Sequence, residues 1–210
     1  MRYPNKSHRH AVTLPSPSVE LAEFIGIMLG DGGLSRYQVS ISLNQESDSE
    51  FSEFVCSLIQ ELFAVTPSVY DRRNQLLRTL VISRTELVEY LHGLGLPIGN
   101  KVSQECDIPD WIRRDRSFLT ACIRGLVDTD GSVFTHRYRV NGKWYAYKKL
   151  SFTSASQPLL HSVLESLISF GMHARIGSAK DVRIDSKADM ERYFTLIGTS
   201  NPKHLRRYAF

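Results

Sequence analysis

The chain has 210 residues, 42% of them hydrophobic, with a formal net charge of +4, a composition ample for the packed core of one large or two small domains. No apolar run approaches the ~18 residues of a membrane span and residues 1–10 lack the apolar segment of a secretion signal, so an intracellular protein is expected. Cys56, Cys106 and Cys122 are odd in number and show no Cys-x-x-Cys spacing, which argues against a disulfide framework and a thiolate zinc site.

In chain order, a basic arm over 1–17 precedes an apolar helix predicted at 18–31, in which Gly26 and Gly30 share one face. Strands follow over 33–44. Their alternation sends Arg36, Gln38, Ser40, Ser42 and Asn44 one way and Tyr37, Val39, Ile41 and Leu43 the other. A helix at 48–64 is introduced by and carries Glu46, Asp48, Glu50, Glu53 and Glu61, which are expected on the solvent side, away from any polyanion. Strands at 67–83 and a helix at 85–94 close the first half. Pro97 and Pro109 predict an extended linker over 96–115.

The second half repeats that order. A helix at 116–130 leads into strands over 132–154 that turn at Asn141-Gly142, a strong hairpin signal. The reading places Thr135, Arg137 and Arg139 on one face with Lys143, Tyr145, Tyr147, Lys149, Ser151 and Thr153. A helix at 157–171, with Pro158 in its tolerant first turn, strands at 173–185, a helix at 187–197 and a basic tail complete the chain. The charge is uneven: residues 1–110 hold 9 Lys and Arg against 14 Asp and Glu, residues 111–210 hold 17 against 8.

Two stretches 99 residues apart repeat one pattern, Phe24-Ile25-Gly26-Ile27-Met28-Leu29-Gly30-Asp31-Gly32 and Ile123-Arg124-Gly125-Leu126-Val127-Asp128-Thr129-Asp130-Gly131. Gly125 and Thr129 fall four apart as Gly26 and Gly30 do, so two backbones can touch along these stripes. Gly32 and Gly131 are expected to end the helices in left-handed or turn conformations. Asp31 and Asp130 then meet at adjacent helix C-termini, where dipole and mutual repulsion both oppose them. A divalent cation would relieve both. A single Asp-Gly would read as hairpin-turn chemistry; its duplication in matched context favours a shared centre.

At these residues the chain resembles the LAGLIDADG homing endonucleases in their single-chain, two-motif form. The second copy fits at Gly125, Asp128, Asp130 and Gly131, whereas the first has Leu29 at the sixth position and Gly30 at the seventh. Gly95-Leu96-Pro97-Ile98-Gly99-Asn100-Lys101 and Ile108-Pro109-Asp110-Trp111-Ile112 look like the family's connection between halves. The resemblance implies an α+β fold of two pseudo-symmetric αββαββα halves, 18–95 and 116–210, each with an antiparallel DNA-binding sheet, packed through the motif helices. It implies a monomer acting as a pseudo-dimer on a long asymmetric duplex, cutting one phosphodiester per strand across the minor groove to leave 3′ overhangs.

The same resemblance assigns Asp31 and Asp130 to Mg2+, with Mn2+ able to substitute and Ca2+ supporting binding without efficient cleavage; the carbonyls of Gly30 and Thr129 complete the ligand set. It places Lys101 and Lys203 near the phosphates, and Asn44, Gln45 and Ser154 near solvent around the metals. The DNA-contact candidates are those on the two hairpins, joined by Arg72, Arg73, Gln75 and Arg78 in the first half and Arg175, Lys180 and Arg183 in the second; Arg, Lys, Gln, Asn, Ser and Thr all suit base edges or phosphates. The seven histidines form no metal-binding cluster and no Gly-x-Ser-x-Gly elbow is present. With no terminal nucleophile or closing Asn, a free-standing enzyme is expected. The alternatives are an RNA maturase with a host intron RNA as partner, and a non-catalytic DNA-binding regulator on the same scaffold.

Overall fold

The computed structural model of the protein describes residues 12–209; residues 1–11 of the expected basic arm lie outside them. Helix α1, Val19–Gly30, starts where the Ser18 hydroxyl accepts from the Leu21 N–H at 3.1 Å. Every residue from Leu21 to Leu29 is buried, as a central helix requires. Strands β1, Gly32–Leu34, and β2, Val39–Asn44, helix α2, Ser49–Phe63, strands β3, Ser68–Arg72, and β4, Leu77–Ile82, and helix α3, Thr85–Gly93, complete the first lobe. After a short helix α4, Asp110–Arg113, the order recurs with α5, Arg116–Asp130, β5, Gly131–Val140, β6, Lys143–Thr153, α6, Gln157–Ser169, β7, Arg175–Ser178, β8, Asp181–Ile184, and α7, Lys187–Leu196. Helix α8, Pro202–Ala209, ends the described chain.

The two sheets have the same order, β1-β2-β4-β3 and β5-β6-β8-β7, and their strands pair antiparallel throughout. This is the expected α+β architecture of two αββαββα lobes. Each sheet lays one face on its own helices: Val39, Ile41, Leu43, Leu80 and Ile82 in the first lobe and Val133, Leu150, Phe152, Val182 and Ile184 in the second are all buried. Among the described residues no helix is long and apolar enough to cross a membrane.

Four expectations are corrected. Gly32 and Gly131 are absent from the positive-φ positions; they begin strands. A Cβ on Gly32 would stand 2.5 Å from the Met28 Cα, and one on Gly131 would stand 2.2 Å from the Val127 carbonyl oxygen, so close approach to the preceding helical turn, rather than backbone handedness, requires glycine. Tyr37 is 57% exposed instead of lying in the core, because Ser35 and Gln38 close a turn (N···O 2.9 Å) and the alternation begins only at Val39. The linker is not wholly extended, since Pro109 serves as the N-cap of α4. The C-terminal residues form a helix rather than a tail: Tyr208 stacks on Phe194 with ring centroids 4.2 Å apart, and His204 is buried.

Candidate active site at the seam of the two lobes

Helices α1 and α5 meet backbone to backbone along the predicted stripes. A Cβ on Gly26 would fall 2.2 Å from the Cys122 carbonyl oxygen, one on Gly125 would fall 2.3 Å from the Glu23 carbonyl oxygen, and one on Gly30 would fall 2.0 Å from the Thr129 hydroxyl. No side chain larger than hydrogen fits at these three positions without separating the helices. The Thr129 hydroxyl meets its own hydrogen-bonding need by donating to the carbonyls of Gly125 and Leu126 at 3.0 and 2.9 Å.

The last turns therefore end together and bring their acids to one place. The space a Gly30 Cβ would occupy lies 3.4 Å from a carboxylate oxygen of Asp130, one residue from Asp31. Burial, then the nearby charges of Asp130 and Asp48, push Asp31 up to about 7, while Lys203 and Lys101 act in the opposite sense. Burial also raises Asp130. Among the described residues no three His, Cys, Asp or Glu side chains converge as a ready-made cation cage.

The two lysines lie at this centre in different ways. Lys101 donates to the carbonyls of Met28, Leu29 and Gly30 at 3.2, 2.9 and 2.5 Å, so its ammonium caps the end of α1 and meets the negative pole of its dipole. Burial lowers its pKa against the pull of both aspartates. The Gly30 carbonyl is thereby already engaged. Lys203 instead pairs with Asp48 at 2.6 Å.

Asp48 is a correction and an addition. It is buried rather than on the solvent side of α2, and the Asn201 amide reaches both its carboxylate, at 2.8 Å, and the Asp128 carbonyl, at 3.0 Å. Burial pushes the Asp48 carboxyl up, yet the hydrogen bonds from Lys203 and Asn201 outweigh it and leave the pKa below the usual carboxylate value. Behind the site, Glu23 of α1 pairs with Arg124 of α5 at 2.6 Å, Ser200 donates to Glu23 at 2.5 Å, and the Ser200 N–H reaches the fully buried Asp128 at 2.7 Å. Glu23, a charged residue among the apolar positions of α1, was the sequence signal for this network; its partners Arg124 and Ser200 lie 101 and 177 residues away.

Asn44, Gln45 and Ser154 are occupied locally. The Asn44 side chain accepts from the N–H groups of Glu46 and Ser47, Gln45 contacts Asp71 at 3.4 Å, and the Ser154 hydroxyl accepts from the Ser156 N–H.

The open face of the first sheet carries Ser40, Ser42 and Asn44, and across the ladder Thr79, Tyr70 and Arg72. Arg36, Gln38 and Gln75 are exposed at its edges, with Arg36 over the Tyr37 ring; of Arg73 only the backbone belongs to the described structure. Arg78 departs from expectation. It stands opposite Leu43 on the helix side of the sheet, forked onto Asp71 at 2.8 and 2.9 Å and reaching Ser52 at 3.1 Å.

In the second sheet the two-residue turn fixes a register that overturns the expected face. Asn141 and Gly142 both have positive φ, and Tyr138 stands opposite Tyr145 while Arg139 stands opposite Trp144. Directly paired residues share a face. Tyr145, Tyr147, Lys143, Lys149, Ser151 and Thr153 thus share the open face with His136 and Tyr138, whereas Thr135, Arg137 and Arg139 lie on the opposite side with Trp144. Tyr138 stacks on Tyr145 and Tyr147, and Arg139 sits over Trp144. Lys149 and Arg175 both pair with Asp185, Arg183 pairs with Asp181, and Lys180 is exposed.

Residues 117–198 match the family model of the LAGLIDADG-like domain. The fold is similar to that of the I-SmaMI LAGLIDADG homing endonuclease bound to cleaved DNA (TM-score 0.63, 10% identity, 93% of this chain and 88% of that one). It is also similar to I-DmoI in complex with DNA and Mn (TM-score 0.58, 18% identity, 87% and 97%), and to full-length DUF199/WhiA from Thermatoga maritima (TM-score 0.57, 16% identity, 93% and 62%). In sequence, 200 residues are 22% identical to the replication factor C small subunit of Methanocaldococcus jannaschii, a match spanning 90% of this chain and only 10% of that protein. Residues 117–198 are thus similar to the LAGLIDADG-like domain, and the whole chain carries a two-lobed fold like that of the solved single-chain LAGLIDADG homing endonucleases.

Proposed function

We propose that this protein is a site-specific, divalent-metal-dependent endonuclease of double-stranded DNA, acting inside the cell as a monomer whose lobes, 18–95 and 116–210, each address one arm of an asymmetric target. The observation that carries this reading is the convergence of Asp31 and Asp130, two half-buried carboxylates of raised pKa brought together at the ends of helices packed through Gly26, Gly125 and Gly30. Such a pair is costly unless a cation shares it. Hard oxygen donors suit Mg2+ or Mn2+, and Mg2+ ordinarily takes only one or two carboxylates alongside water and substrate phosphates, so the absence of a larger acidic cage among the described residues fits. I-DmoI, which shares the fold, is described in complex with DNA and Mn.

Asp31 and Asp130 would hold the metal, with the Thr129 carbonyl and the second lone pair of the Gly30 carbonyl as further oxygens. When bound, a divalent ion supplies an acidified water and neutralises charge on the departing 3′ oxygen. The protein's own part is placement. Lys101 stabilises the end of α1 that aims Asp31, and Lys203 contributes positive field to both acids. The open sheet faces supply Ser40, Ser42, Asn44 and Arg72 from one lobe and Lys143, Tyr145, Tyr147, Ser151 and Thr153 from the other for duplex contacts, with one strand of each half-site cut to leave 3′ overhangs.

Asp31→Asn and Asp130→Asn should each abolish double-strand cleavage in Mg2+, on a target found by selection from a randomised library, while leaving target binding in Ca2+ within about threefold. Cleavage by either variant at the wild-type rate overturns the metal assignment. A wild-type chain that binds but never cuts establishes the regulator reading instead.

A further inference from the structure

Asp48 and Ser156 occupy the same place in the two lobes, the N-cap of the helix that follows each lobe's first strand pair. Both are residue types that cap helices well, yet neither makes a side-chain cap. Each spends its side chain on the segment following the other pair of strands and helix: Ser156 donates to the Cys106 carbonyl at 2.6 Å, in the stretch after the first lobe, and Asp48 accepts from Asn201 and Lys203, in the stretch after the second. The exchange is reciprocal in topology and unequal in charge. Only the first lobe places a carboxylate there.

That carboxylate is surrounded. It accepts from Lys203 at 2.6 Å and Asn201 at 2.8 Å, and its other oxygen takes the Asn44 N–H and the Ser47 hydroxyl, each at 3.3 Å. Lys203 is itself largely buried, with a side chain 14% exposed, and among the described residues its ion pair is with Asp48 rather than with Asp31 or Asp130. Lys101 needs no such partner, because backbone carbonyls hold it.

We propose that Asp48 is a positioning residue for Lys203, fixing its ammonium at the seam through the 2.6 Å ion pair and thereby acting in cleavage without touching DNA or metal. This rests on the endonuclease reading above. A purely structural Asp48 would show its loss in stability and not in the cleavage rate of the folded protein.

The test is a double-mutant cycle with Asp48→Ser and Lys203→Met in the full chain, following nicked and linear products in Mg2+, with target binding in Ca2+ and circular dichroism as controls. Asp48→Ser should slow cleavage about tenfold to a hundredfold with binding unchanged, and should add nothing in the Lys203→Met background. Asp48→Glu should recover part of the loss. Wild-type cleavage by Asp48→Ser, or an undiminished penalty in the Lys203→Met background, overturns the proposal. Should Asp48→Ser fail to fold, isosteric Asp48→Asn carries the same cycle. Asp130→Asn run alongside separates the two levels: if it still cleaves, or the wild type does not, the endonuclease reading itself falls, whereas a dead Asp130→Asn beside a fully active Asp48→Ser removes only the positioning role.

Discussion

His204 shows how burial turns a surface-type residue into a pH-sensitive element. It is 1% exposed, and burial, then the neighbouring charge of Lys203, lower its pKa from 6.5 to about 4 against a backbone contact with Asp128 that acts the other way. The folded state keeps it neutral while an unfolded chain protonates it near 6.5. Its stabilising effect is therefore complete above that pH and is lost as pH falls from 6.5 towards 4, on the order of 3 kcal/mol at full extent. Urea unfolding at pH 7 and pH 4.5 should show His204→Leu losing less stability than wild type over that interval. The Asp31 pKa is shifted the other way: its carboxyl, raised to about 7, must lose a proton to take a cation, so Mn2+ affinity measured by calorimetry should rise with pH up to about 7 and flatten above. Asp31 and Asp130 were legible in the sequence because a repeated motif marks them. Asp48 was not, because a run of acids before a helix reads as a solvated face and its partners lie 153 and 155 residues away.

Elements were more legible than faces. The long helices fell where apolar periodicity put them, and α5 begins and ends at the residues that its pattern indicates. What periodicity does not carry is register between strands. One two-residue turn transferred Thr135, Arg137 and Arg139 to the other side of the β5–β6 ribbon, and Arg78 proved to face α2. These placements separate the cations. Lys143 is exposed with no described acidic partner, whereas Arg183 is paired with Asp181. Lys143→Ala should lower the salt dependence of target binding by about one unit of slope, and Arg183→Ala should change it much less, in a salt titration by fluorescence anisotropy. At the α1–α5 seam the limit is steric. Gly26→Ala would drive a methyl to 2.2 Å from a backbone oxygen, and a loss of about 3 kcal/mol is expected, at the upper end of overpacking costs, read as a lower urea midpoint at unchanged slope.

At the scale of the whole molecule, likeness of topology coexists with inequality of detail. Both lobes run the same strand order, but β1 and β2 have 3 and 6 residues where β5 and β6 have 10 and 11, and the six outermost residues of β5 are exposed. The lobes are joined by the Glu23–Arg124 pair, which removes two charges from water and stands only because both members are present. Arg124→Leu should cost about 3 to 5 kcal/mol by stranding Glu23, while Glu23→Leu with Arg124→Leu should recover most of it, as chemical denaturation of the three variants will show.

The contact between Gly30 and Thr129 has a consequence for how such a protein changes over time. Its acids ride on two rods spaced by glycines at Gly26, Gly125 and Gly30, where there is no room to enlarge a side chain. The exposed strand faces, by contrast, accept new side chains at little energetic cost. Selection for a different nucleotide sequence should therefore concentrate its substitutions in β2, β3, β5 and β6 and leave the glycine stripe untouched, so that what is read can drift while the geometry of the cut is inherited unaltered.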